Sequence, residues 1–160
     1  MNRKHFLNTI FPAAIATSFF ADAKGKKELP DFIQPNIFPP NLKPGDTIGI
    51  TCPASPTELN KLIGIKAVKN WGLNVQLGNT VGKHWQRFAG TDIERAMDFQ
   101  TMLDDDNIKA IFFAKGGYGT MRMIDKIVWD NFLLKPKWLI GYSDITTVHL
   151  HVHTNFEIPT

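Results

Sequence analysis

Trp138-Leu139-Ile140-Gly141-Tyr142-Ser143-Asp144-Ile145-Thr146 joins an apolar run to a polar turn and then to the start of a helical pattern. It reads as a strand that delivers a serine onto the first turn of a helix, and the same alternation extends outward in both directions. Upstream, Ile108 to Ala114 is apolar except for Lys109, as expected of a strand buried on both faces of a parallel sheet. Gly116-Gly117-Tyr118-Gly119 follows at once, then a predicted helix over 120–128. Further back, a strand is predicted over 47–51 and a turn through Pro53-Ala54-Ser55-Pro56. Leu59, Leu62, Ile63, Val68 and Trp71 recur near helical spacing over about 58–71, with Gly72 placed to end that helix. A short strand over 74–77 and a glycine-rich loop over 78–90 come next. Thr91-Asp92-Ile93-Glu94 has the form of a capping box and starts a helix reaching about Leu103. Downstream, the last helix runs over about 145–154. Strands alternating with helices predict an α/β domain with a parallel sheet and flanking helices, Rossmann-like or flavodoxin-like. Such sheets place ligand sites beyond the carboxyl ends of their strands, where both the glycine and the serine turns fall.

The chain has 160 residues, 43% apolar and 21% charged, enough for one domain with a single core. Its formal charge of +3 owes much to Arg3, Lys4, Lys24, Lys26 and Lys27, and no later basic stripe with interleaved aromatics supports a nucleic-acid partner. Residues 1–23 read as a signal peptide: Arg3 and Lys4, an uncharged and mostly apolar stretch from Leu7 to Ala21, then Ala21-Asp22-Ala23 as a small-x-small cleavage site. The opening Asn2-Arg3-Lys4-His5-Phe6-Leu7 is similar to a twin-arginine signal with lysine as its second basic residue, so the protein is expected to be exported to the periplasm. The run is short for a stable membrane span, and Pro12 interrupts it. Residues 24–44, with Pro30, Pro35, Pro39, Pro40 and Pro44, read as a proline-rich linker into a domain over 45–160.

Ser143 is the candidate nucleophile. A serine hydroxyl is a poor nucleophile at its free pKa and needs exposure at a turn, amides aimed at the oxyanion, and a base. A helix N-terminus supplies amides and a favourable dipole, so the amide of Asp144 could hold an oxyanion. The other reading, a serine that only caps the helix, stays open on spacing alone, because Ile145 stands at the second glycine of the G-x-S-x-G pattern. Gly116, Gly117 and Tyr118 form a turn whose backbone can approach a ligand closely. A phosphate reading of this turn lacks G-x-G-x-x-G and a Walker lysine, and no cofactor is called for. Cys52, the one cysteine, reads as a small buried hydrophobe. Asp104-Asp105-Asp106 reads as a solvated turn and not a metal site. His149, His151 and His153 lie on a helix that puts His149 and His153 on one face and carries them away from Ser143. They read as packing or surface groups without a third metal ligand.

Ala-Lys-Gly-Gly-Tyr-Gly-Thr-Met-Arg at 114–122 and Lys-Pro-Lys-Trp-Leu-Ile-Gly-Tyr-Ser-Asp-Ile-Thr at 135–146 resemble the LD-carboxypeptidases, or muramoyltetrapeptide carboxypeptidases, serine peptidases that include the microcin-immunity peptidases. The stretches at 42–56 and 90–100 fit as well; Lys115 stands where the family usually has arginine. The resemblance implies release of the terminal D-alanine from a murein tetrapeptide, with Ser143 as nucleophile and Asp144 and Gly117 lining the oxyanion hole. It implies a histidine base and an orienting glutamate from a C-terminal domain absent from these 160 residues. For the full-length protein a homodimer is the expectation. The chain by itself is then expected to be inactive, and to expose surface that the second domain covers. A non-catalytic module binding a murein peptide or another anionic ligand is the alternative.

Overall fold

The structure is a computed structural model that describes residues 38–62 and 64–160. The expected signal peptide, and the expected linker up to residue 37, lie outside the described residues.

Four parallel strands form one sheet in the order β2-β1-β3-β4. They are β1 (Thr47–Thr51), β2 (Asn74–Leu77), β3 (Ile108–Phe113) and β4 (Trp138–Ile140). The helices are α1 (Gly64–Asn70), α2 (Asp92–Asp104), α3 (Asp130–Leu134) and α4 (Thr146–Phe156). This is the flavodoxin-like branch of the expected fold class. From β1 the chain steps outward to β2, then returns to the other side of β1 for β3, so the switch point lies between the carboxyl ends of β1 and β3.

Side-chain alternation sorts the strands onto two faces. Ile111 and Phe113 of β3 and Leu139 of β4 join Phe99, Met102 and Leu103 of α2, Phe132 of α3 and Val148 and Val152 of α4 in the larger core. Ala110 of β3 and Ile48 of β1 face the other way, against Val68 of α1 and Leu73, with Phe112, Trp138 and Ile140 half-buried beside them. Residues 38–44, expected as linker, pack on this second face: Leu42 touches its core, and Trp138 Nε1 donates to the carbonyl of Pro40 at 2.9 Å.

Three expectations are corrected. The helix over 58–71 is shorter: Leu59–Lys61 is one 3-10 turn, Leu62 leaves helical geometry at φ −79° and ψ 69°, and α1 begins only at Gly64. Of its apolar positions Leu59 and Trp71 are exposed, Leu62 is half-buried and Val68 is buried. The helix over 120–128 is instead two 3-10 turns, Thr120–Arg122 and Ile124–Lys126, because three residues per turn buries Thr120, Met123 and Ile124 while the segment bends around α2. Finally, the stretch between the expected helix over 120–128 and the strand at Trp138, expected as a loop around Pro136, contains α3. Gly72 does end α1, at φ +77°, and the capping box at Thr91 is fully formed.

Candidate active site at the serine and glycine turns

β4 ends at Ile140, and Gly141 packs so closely under Ile145 that a Cβ there would stand 2.7 Å from Ile145 Cγ2. Tyr142 is extended, at φ −152° and ψ 176°, and Ser143 then turns into the left-handed region at φ +64°. A 3-10 turn over Ser143–Ile145 feeds directly into α4. A capping serine would be extended, with its hydroxyl accepting an amide proton two or three residues on. Here Tyr142 holds the cap position, no side chain caps the turn, and Ser143 is exposed. The capping reading therefore fails. Left-handed backbone costs a non-glycine residue about 1–2 kcal/mol, and such strain clusters at functional sites.

The glycine turn lies directly against this serine. A Cβ on Gly116 would stand 3.0 Å from the carbonyl oxygen of Tyr142, 3.1 Å from Ser143 Cβ and 3.4 Å from the amide nitrogen of Asp144. Gly117 has φ +114°, and a Cβ on it would overlap Ser55, at 2.0 Å from its Oγ. Ser55 in turn donates its amide proton to the carbonyl of Gly116 at 3.3 Å. The turns after β1, β3 and β4 thus meet around Gly116 and Gly117, beside the switch point. The carboxylate of Asp144 fastens the serine turn to the glycine turn, accepting from the amide of Thr120 at 2.9 Å and from its hydroxyl at 2.7 Å. Tyr142, next to Ser143, is 80% exposed, and Tyr118 of the glycine turn is 51% exposed and packs on Phe88 at 6.2 Å.

Two charged residues of α2 hold these loops from beneath, a role that sequence reasoning missed. Arg95 is 0% exposed. Its guanidinium donates to the carbonyls of Gly90 at 3.1 Å, Gly119 at 2.9 Å and Pro53, and pairs with Asp92. Burial pulls the Arg95 pKa down, and Asp92 works against that shift. Asp98 accepts from the hydroxyls of Thr51 at 2.6 Å and Thr80 at 2.5 Å, and from the amide of Asn79 at 2.6 Å. The available signal was an arginine and an aspartate three apart among Ala96, Phe99 and Met102. Charged groups on the buried face of a helix survive only when fully hydrogen-bonded.

The remaining candidates fall elsewhere. His149 bonds Thr160 Oγ1 at 2.7 Å and the carbonyl of Gly141 at 3.2 Å, bracing α4 against the end of β4. His151 stacks on Trp129 at 5.2 Å. Cys52 is fully buried, and desolvation with the nearby Asp98 charge pushes its thiol up to about 12. The three aspartates make a surface turn: Asp104 accepts from Gln100 and Asn131, Asp105 from Asn107, and Asp106 pairs with Lys135. Among the described residues no helix is long and apolar enough to cross a membrane.

Comparison with known proteins places this geometry in a family. Residues 48–160 match the model of the LD-carboxypeptidase N-terminal domain. The "Probable murein peptide carboxypeptidase" of Bacillus subtilis is 38% identical over 126 residues, which are 78% of this chain and 40% of that protein. An apo structure of an inactive mutant of the microcin C7 self-immunity protein MccF superposes with a TM-score of 0.71 at 26% identity, over 77% of this chain and 38% of that one. A muramoyltetrapeptide carboxypeptidase from Oxalobacter formigenes superposes with a TM-score of 0.58 at 25% identity, over 65% and 35%. The chain spans about a third to two fifths of the length of the curated relatives it matches. With the family model matched along most of its length and the fold shared, this chain belongs to the LD-carboxypeptidase family, of which it carries the N-terminal domain.

Proposed function

We propose that the chain carries the nucleophile and oxyanion hole of a serine-type LD-carboxypeptidase that releases the terminal D-alanine from murein tetrapeptides. The observation that carries this reading is the left-handed Ser143, exposed at a strand-to-helix turn and packed against Gly116. In the proposed reaction Ser143 Oγ attacks the scissile carbonyl carbon, and the developing oxyanion takes hydrogen bonds from the amides of Asp144 and Gly117. A histidine oriented by a glutamate, both from the part of the family's length that this chain does not span, removes the serine proton. The histidine then returns the proton to the leaving amine of D-alanine. Water hydrolyses the acyl-enzyme by the same route in reverse order. On this account the 160 residues alone are inactive.

The reading includes export by the predicted signal peptide, action in the periplasm, and a homodimer for the full-length protein. Peptidyl-nucleotide substrates are a second reading, favoured by MccF relatives solved with adenosine monophosphate and with aspartyl sulfamoyl adenosine. Chromatographic detection of D-alanine from a murein tetrapeptide, run beside an aminoacyl sulfamoyl adenosine, tests both. The full-length protein is expected to act on the tetrapeptide. Turnover of the nucleotide conjugate alone would transfer the proposal to the second class.

A further inference from the structure

A cleft of about 340 Å³ opens beside the glycine turn, with Pro56, Lys61, Lys83, His84 and Lys115 among its walls. Its position follows from chain connectivity. Lys115 immediately precedes Gly116, and Pro56 immediately follows Ser55, so each wall starts one residue from the groups that meet at Gly116 and Gly117. Two loops close it: the amide of Gly82 donates to the carbonyl of Thr57 at 3.0 Å, and Lys115 Nζ donates to the carbonyl of Pro56 at 3.2 Å.

The charge in this cleft is unbalanced. Lys61 pairs with Glu58 and Lys83 with Glu94, each at 3.1 Å, whereas Lys115 has no partner among the ion pairs of the described residues. Glu58 lines the same cleft and its charge acts on Lys115 as well, yet of the three ammonium groups only that of Lys115 lacks a carboxylate within ion-pair distance among the described residues. Partial shielding by the cleft walls makes such a charge worth more to an anion than it would be on open surface.

We propose that this cleft seats a carboxylate of the peptide substrate, with Lys115 as its main cation and Lys61, Lys83 and His84 as the surrounding wall. The inference rests on the carboxypeptidase reading. There the terminal carboxylate sits on the α-carbon bonded to the scissile nitrogen, within a few ångströms of the oxyanion amides. Lys115 is then the residue that restricts hydrolysis to a free carboxyl end. A side-chain carboxylate of the peptide offers the same chemistry, and the test separates the two.

The full-length Ser143→Ala protein is titrated calorimetrically with three murein peptides: the free acid, the C-terminal carboxamide, and one amidated on the diamino-acid side chain. Lys115→Gln is expected to weaken the free acid about tenfold, which is about 1.4 kcal/mol. It should leave the carboxamide unchanged, and Lys115→Arg should restore the affinity. In the Ser143 enzyme the same loss should appear mainly in KM. Loss of the Lys115 effect with the side-chain amide, and not with the terminal amide, assigns the cleft to the side-chain carboxylate and overturns the terminal assignment. Equal affinity of Lys115→Gln and its parent for the free acid overturns the proposal altogether. Lys115-dependent binding in a protein that hydrolyses no peptide would leave the cleft standing and remove the carboxypeptidase reading.

Discussion

Replacing Ser143 by glycine removes the hydroxyl and relieves the backbone at the same time, whereas alanine removes the hydroxyl and keeps the strain. Ser143 sits at φ +64°, where an L-residue loses about 1–2 kcal/mol relative to glycine. Glycine also raises the entropy of the unfolded chain, which takes back about 0.4–1 kcal/mol. Ser143 is exposed and its side chain caps nothing, so lost packing adds little. The difference leaves Ser143→Gly more stable than Ser143→Ala by about 0.5–1 kcal/mol, or a few degrees in Tm. Urea midpoints and melting temperatures of the two variants, taken under identical conditions, read this directly. Equal stability, or a less stable glycine variant, would refute the claim that the turn stores strain at the serine.

The other predictions concern what surrounds the turn. Arg95→Met should destabilise by about 3–5 kcal/mol in denaturant unfolding, because it strands the carbonyls of Gly90, Pro53 and Gly119 away from water; a loss under 1 kcal/mol would contradict the anchoring role. Glu94 is held down to about 2 by the Thr91 amide, then by Lys83 and the Thr91 hydroxyl. Its folded pKa is depressed, so its contribution is present above about 4.5 and is lost as pH falls toward 2. Glu94→Gln should flatten stability across that window, and an unchanged pH profile would rule the linkage out. Cys52, buried with its thiol near 12, should react with a disulfide reagent at pH 8 only after unfolding; rapid native labelling would show the loop around it to be open.

What the sequence disclosed followed the range of the interactions involved. β1, β3 and the start of α2 were legible because a buried parallel strand is a continuous apolar run and a capping box is complete within four residues. The 120–128 segment was misread because Met123, Ile124 and Ile127 mimic a helical face. Thr120 is instead tied to Asp144 and Arg122 to Asp92, and these distant partners bend the segment into two tight turns. α3 was hidden by its length, five residues being too few for a periodic signal. At the site, the strand-end positions of Ser143 and Gly116 were readable. Ser55 and Arg95 were not, because only the assembled sheet brings the loops after β1 and β3 onto the same arginine. Whether Ser143 caps the helix or stands free as a candidate nucleophile turned on a single dihedral angle, which spacing does not encode.

In the proposed reaction everything depends on the hydroxyl of Ser143. Incubating the full-length protein and its Ser143→Ala variant with a murein tetrapeptide and quantifying free D-alanine tests it most directly. Release by the parent protein is expected, with a loss of at least about a thousandfold in the variant, in line with removal of a triad nucleophile. Undiminished release by Ser143→Ala would contradict it.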